Sequence, residues 1–326
     1  MGGIEVQVHE PVNVLSTMLL ALTGSAKDAK PHPIASAALE HVRPFADHAS
    51  LAWLRGLYRP SDLARLYGHA AQLAGPVSFA PRTARPPAEL ASYEPERMKD
   101  LPAKMAAFYG DARLGTFRRS RTVDYTLAEA EVKDVVDGAG IERFLADLYG
   151  PIKYKLVVVP VPTHPSSGGG TGARNGWEAF ALLHPPYVAR GSDDPVSWSL
   201  DPEATQAVTL QELSHAMMLD AAKEQADLVS RLWPVLTRIP RDAPLAREFP
   251  DAGLRFAALF ARGSSASYLR RTRGDEAAQR WLEDEVRRLG TPLVKDFFLA
   301  IEQYLERRRW PDLHAFLSDL PKALRA

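Results

Sequence analysis

Along most of this chain apolar residues recur at intervals of three and four, the spacing of one face of an α-helix. In the first half the pattern runs through PVNVLSTMLLAL (11–22), IASAALEHVRPF (34–45), SDLARLYGHAAQLA (61–74), PAELASYEPERMKDLPAKMAAFYG (87–110) and IERFLADLYG (141–150). It returns after residue 201 in LRFAALFARGSSASYLRR, DEAAQRWLEDEVRRLG, TPLVKDFFLAIEQYLERRR and PDLHAFLSDLPKAL. Two places break it. IEVQV (4–8) alternates like a short strand, and KYKLVVVPVP (153–162) is an unbroken β-rich run that suits a buried strand. THPSSGGGTGARNG then reads as a loop, and WEAFALLHPP as a second strand, so a hairpin or small sheet is expected here. GPVSFAPRTARPP (75–87) is the clearest further loop. The pattern predicts an α+β chain, predominantly helical, with a small sheet before residue 201. A helical region at 1–150 followed by a region at 151–326 is the expected division, unless the two form one continuous domain.

Charge and composition narrow the chemistry. Forty basic residues balance forty acidic ones, so no field favours nucleic acid or an anionic membrane. The RRR run at 307–309 is local and reads as a solvated helix face. There is no cysteine, which removes thiolate ligands, thiol nucleophiles and disulfides. The apolar stretch at 12–24 lacks preceding lysine or arginine and follows Glu5 and Glu10, so an amphipathic helix ending at Gly24 is expected rather than a signal peptide. No run is long enough for a membrane span. The glycines of 168–170 lack the G-K-[ST] of a phosphate loop, and no G-x-S-x-G elbow supports a serine hydrolase.

One stretch carries candidate chemistry. Asp201-Pro202-Glu203 starts a helix: an N-cap aspartate, proline at the first helical position, acid in the first turn. That helix contains QELSH, residues 211–215. Gln211 and His215 are four apart and share a face. With histidine at 211 the stretch would read H-E-x-x-H, in which both histidines bind zinc and the glutamate activates the metal-bound water. A glutamine amide is a weak zinc donor, and catalytic zinc wants three protein ligands. Taken alone, QELSH is better explained as a hydrogen-bonded core histidine beside a surface charge.

The surrounding segments change that balance. VQVHEPVNVLSTMLLALTG, the phrase FYGDARLGTFRRSRTVDY with Phe108, Phe117 and Tyr125, KLVVVPVPTHPSSGGGTGA and FAALFARGSSASYLRRTRG follow one another in order. In that order the chain resembles a bacterial family of uncharacterised, predicted gluzincin-type metallopeptidases over about residues 4 to 274. The resemblance implies a zincin-like region in which an edge strand before the motif helix pairs with extended substrate. It assigns the histidine pair to Gln211 and His215, the general base to Glu212, and the third ligand, four residues before Arg262, to Ala258. Two of three ligands are then lost. The implied reading is a degenerate metallopeptidase without zinc, binding a peptide or protein in the remnant cleft or along the strand edge. The alternative is an active zinc peptidase that uses His215 with His184, His164 or Glu248 as unusual ligands and Glu212 as base. A third is a structural helical protein without zincin ancestry, in which Gln211 and His215 hydrogen-bond inside the core.

Overall fold

The computed structural model describes residues 3–59, 62–76, 79–82, 98–224, 226–307 and 309–324. Parts of the loop expected at 75–87 and of the helix expected at 87–110 lie outside these residues, as does Arg308 of the basic run. The chain is predominantly helical with one small mixed sheet, as the pattern predicts. It forms two compact units, one from residues 4–137 and 156–205, the other from 138–155 and 206–326. The units therefore do not follow a boundary at 150/151. Strand pairing is the reason: the run after 155 hydrogen-bonds to the N-terminal strand and so groups with the N-terminal helices.

In the first unit β1 (Glu5–Val6) pairs in parallel with β2 (Lys155–Pro160), Glu5 opposite Val157 and Val6 opposite Val158. The sheet order is β1-β2-β4-β3, with β3 (Gly170–Asn175) antiparallel to β4 (Glu178–Leu183). β3 corrects the sequence reading, which assigns GTGARN to a loop. Its glycines have little intrinsic strand preference, and the pairing with β4 imposes the extended form. A two-residue turn, Gly176-Trp177, joins them with Gly176 at φ +39, a conformation glycine takes without penalty.

Seven helices accompany the sheet among the described residues: α1 (Glu10–Thr23), α2 (Pro33–Val42), α3 (Ala49–Leu57), α4 (Leu63–Ala71), α5 (Leu101–Asp111), α6 (Leu114–Ser120) and α7 (Thr122–Val136). α1 is the hub, packing against α2, α3, α4 and α5. It stops at Gly24, φ +71, whose N–H donates to Leu20 O at 2.8 Å. One continuous apolar core joins Val12, Leu15, Met18 and Leu19 of α1 to Leu66, Tyr67, Met105 and Phe108, and to Val157, Val159, Phe180 and Leu182 of the sheet.

The expected open strand edge is absent from the outer strand. α4 packs along β3, Asn175 Nδ2 donates to Ala71 O at 3.5 Å, and Thr171, Gly172, Ala173 and Asn175 are all buried. At the other end of the sheet α7 lies against β1, where Val8 N–H donates to Glu129 Oε2 at 2.8 Å. Packing of α4 along β3 shields that outer strand from strand addition.

The second unit holds α8 (Ile141–Tyr149), most of α9 (Pro202–Glu224), α10 (Ala226–Leu236), α11 (Pro244–Glu248), α12 (Ala252–Arg273), α13 (Asp275–Leu289), α14 (Leu293–Arg307) and α15 (Leu313–Ala323). α12 is its centre, packed against α10, α13 and α14. Every residue from Phe256 to Leu269 is buried, so α12 is enclosed on all sides rather than amphipathic.

Candidate functional site

α9 begins as its sequence predicts. Asp201 Oδ1 accepts from the Ala204 N–H at 2.9 Å, and Pro202 opens the helix. From Thr209 to Met218 every residue is buried, so the polar side chains of QELSH are taken into the interior with the apolar ones. Two neighbouring helices fix this part of α9. Tyr149 OH on α8 lies 2.7 Å from Ser214 Oγ and 3.0 Å from Ser214 O, and Ser265 Oγ on α12 donates to Ala207 O at 2.9 Å.

Burial forces each motif residue to find a partner or stay neutral. Gln211 Nε2 donates to Glu212 Oε1 at 2.6 Å, which ties the amide to the carboxylate in the general-base position. Gln211 Oε1 has no donor. His215 Nδ1 is 4.0 Å from Glu212 Oε2, and its ring meets the Phe249 ring edge-on with centroids 5.7 Å apart. His215 Nε2 is buried and without a partner. Burial, helped by the charge of Arg262, pushes the His215 imidazole down to about 3. It is neutral at pH 7, so its approach to Glu212 is not an ion pair.

The charge near His215 comes from α12. Arg262 is buried, with Nε 2.8 Å from Glu285 Oε2 of α13, Nη1 donating to Ala258 O at 3.0 Å, and its guanidinium over the Phe249 ring at 5.7 Å. Burial pulls the guanidinium below its ordinary value, and the nearby Arg288 adds to that; Glu285, Glu248 and Glu212 oppose it. Glu285 is the other half of the pair. Burial would raise its carboxyl, but Arg262 and Arg288 outweigh burial and hold it below the usual range. Arg288 Nη2 donates to Glu285 Oε2 at 2.8 Å and Nε to Oε1 at 3.1 Å, a bidentate contact.

This donor set does not fit a zinc ion. Across the three positions that the resemblance assigns to ligands there is one imidazole, one amide already bonded to Glu212, and the methyl group of Ala258. Beside them stands a guanidinium, whose fixed positive charge disfavours a second cation. Among the described residues no three histidine, aspartate or glutamate side chains form a group that could hold a metal.

The substitute ligands have other occupations. His164 and His184 lie in the first unit and stack on each other, with ring centroids 3.4 Å apart and planes within 7°. Ser166 N–H donates to His164 Nδ1 at 3.1 Å, and His184 Nε2 is 3.0 Å from Thr171 Oγ1. Burial lowers His164 to about 4, and burial with the adjacent His164 takes His184 well below its ordinary value. Glu248, at the end of α11, is exposed. Asp251 caps α12 by accepting from Leu254 N–H at 3.1 Å.

In the sequence Arg262 serves only as a landmark, and Glu285 and Arg288 carry no signal. A buried helix with an arginine at its centre must supply a counter-ion, but the sequence does not say which glutamate provides it. A surface groove of about 700 Å³, bordered by Arg270, Glu276, Arg280, Phe298 and Leu299, is lined by none of the motif residues. No family model matches the chain, and no curated protein or solved structure matches it significantly.

Proposed function

We propose that this chain is a zincin-like protein of the gluzincin type whose metal centre has degenerated, and that it works by binding a peptide or protein rather than by hydrolysing one. The observation that supports this reading best is the pairing at the motif. Gln211 replaces a metal ligand and binds the side chain of Glu212, while the fixed positive charge of Arg262 acts on His215. A zinc hydrolase needs the opposite arrangement: lone pairs gathered on a cation, and a carboxylate free to take a proton from the bound water. Here a covalently attached cation and its counter-ion Glu285 fill the electrostatic role inside the helix cluster. The covered outer strand argues that the partner is held by side-chain surfaces and not by strand addition.

One observation favours the alternative of an active zinc peptidase. Gln211 Oε1 and His215 Nε2, an acceptor in the Nδ1–H tautomer, are both buried without partners, one helical turn apart. A cation drawn to both would satisfy them.

Glu212→Gln separates the two readings. Wild type and variant, each supplied with zinc, are incubated with a mixture of unstructured peptides and the products are read by mass spectrometry. No cleavage by either is expected. Cleavage by wild type that disappears in the variant establishes the hydrolase.

A further inference from the structure

A small cavity lies in the first unit where four helices meet. It has a volume of about 20 Å³, and its polar lining is Glu10, Asn13 and Thr17 of α1, Tyr109 of α5, Arg118 of α6 and Tyr125 of α7. Arg118 and Tyr125 belong to the FYGDARLGTFRRSRTVDY phrase, to which the proposed function gives no role.

Two of these residues carry polar atoms that nothing satisfies. Asn13 is 3% exposed, and its Nδ2 donates to His9 O at 3.1 Å, which fixes the orientation of the amide. Its Oδ1 is buried without a donor. Arg118 Nη1 is buried without an acceptor. The nearest carboxylate does not serve it: Glu10 Oε2 is 3.9 Å from Arg118 Nε, and Glu10 Oε1 accepts from Tyr109 OH at 3.0 Å. The guanidinium is held in place over the Tyr125 ring at 5.1 Å.

We propose that this cavity is a binding site for one ordered water molecule, which accepts from Arg118 Nη1 and donates to Asn13 Oδ1. Size and charge both select it. A water needs about 10–15 Å³ of such space, so the cavity has room for one. An anion would face the Glu10 carboxylate and the Asn13 carbonyl oxygen, and a cation would face Arg118. Only a neutral group that both gives and takes a hydrogen bond suits the two atoms. Thr17 Oγ1, which donates to Asn13 O at 2.8 Å, keeps its lone pairs for the second hydrogen. The water then links α1 to α6 through two atoms that no direct contact satisfies.

A high-resolution crystal structure of the full chain tests this. The expected result is one well-ordered water within about 3.2 Å of both Asn13 Oδ1 and Arg118 Nη1. A direct hydrogen bond between these side chains, or a cavity without solvent density, overturns the proposal. Asn13→Leu removes the acceptor at similar volume. Loss of the water with the Tyr109–Glu10 bond intact is the expected outcome, and a water unchanged in place refutes Asn13 as its partner. If the variant does not fold, the wild-type map alone decides.

Discussion

Arg262 holds together the interior around His215, and its substitution has a calculable direction. The guanidinium is buried and paired with Glu285, itself 6% exposed, so truncation leaves a carboxylate in the interior with only Arg288 to answer it. Removing one partner of a buried ion pair typically costs about 3–5 kcal/mol. Arg262→Ala should therefore destabilise the protein by that order, measured by urea unfolding. A loss below about 1 kcal/mol would show that Arg288 alone suffices, as surface pairs are worth about that little. The legible part of this site was the H-E-x-x-H-like spacing of Gln211, Glu212 and His215, because spacing along one helix is a property of sequence. The Arg262–Glu285 pair and the His164–His184 stack were not legible. Each joins residues from different elements, and only packing decides which partner is met.

At the level of elements, α12 comes close to the backbone of α14 at Gly263. A Cβ there would lie 2.9 Å from Phe298 N and 3.2 Å from the carbonyl carbon of Phe297, both backbone atoms that cannot move independently of α14. Gly263→Ala gains helix propensity, yet overpacking of this kind costs about 1–3 kcal/mol. The expected result is a lower thermal midpoint; a raised one would mean that the helices separate easily. Helix ends were readable where a local rule governs them, as at Gly24 after α1 and Asp201 before α9. β3 was not, since Gly170 and Gly172 carry no strand signal and the strand exists through its pairing with β4. The same limit hid the packing of α4 along that strand, and with it the closure of the edge that the resemblance implies is open.

Across the whole molecule, buried neutral histidines tie stability to pH. His9, His32 and His164 are lowered from 6.5 to about 4, each chiefly by burial, and burial also takes His184 well below its ordinary value. Between those values the unfolded chain binds more protons than the folded one. Their contribution to stability is complete above pH 6.5 and is lost as pH falls toward 4. The urea midpoint should drop steeply across that window, and a flat profile would contradict the burial of these rings. The helical class and the small sheet follow from periodicity alone. The interleaved units do not, because the pairing of residues 5–6 with 157–158 joins segments that the linear pattern keeps apart. In the proposed reading, a guanidinium, its counter-ion and an amide occupy what a metallopeptidase uses to hold zinc. Elemental analysis of the chain purified without chelator tests it most directly. Zinc far below one ion per chain, unchanged by Gln211→Ala, is the expected result; one tightly held zinc per chain, lost in that variant, would overturn the reading.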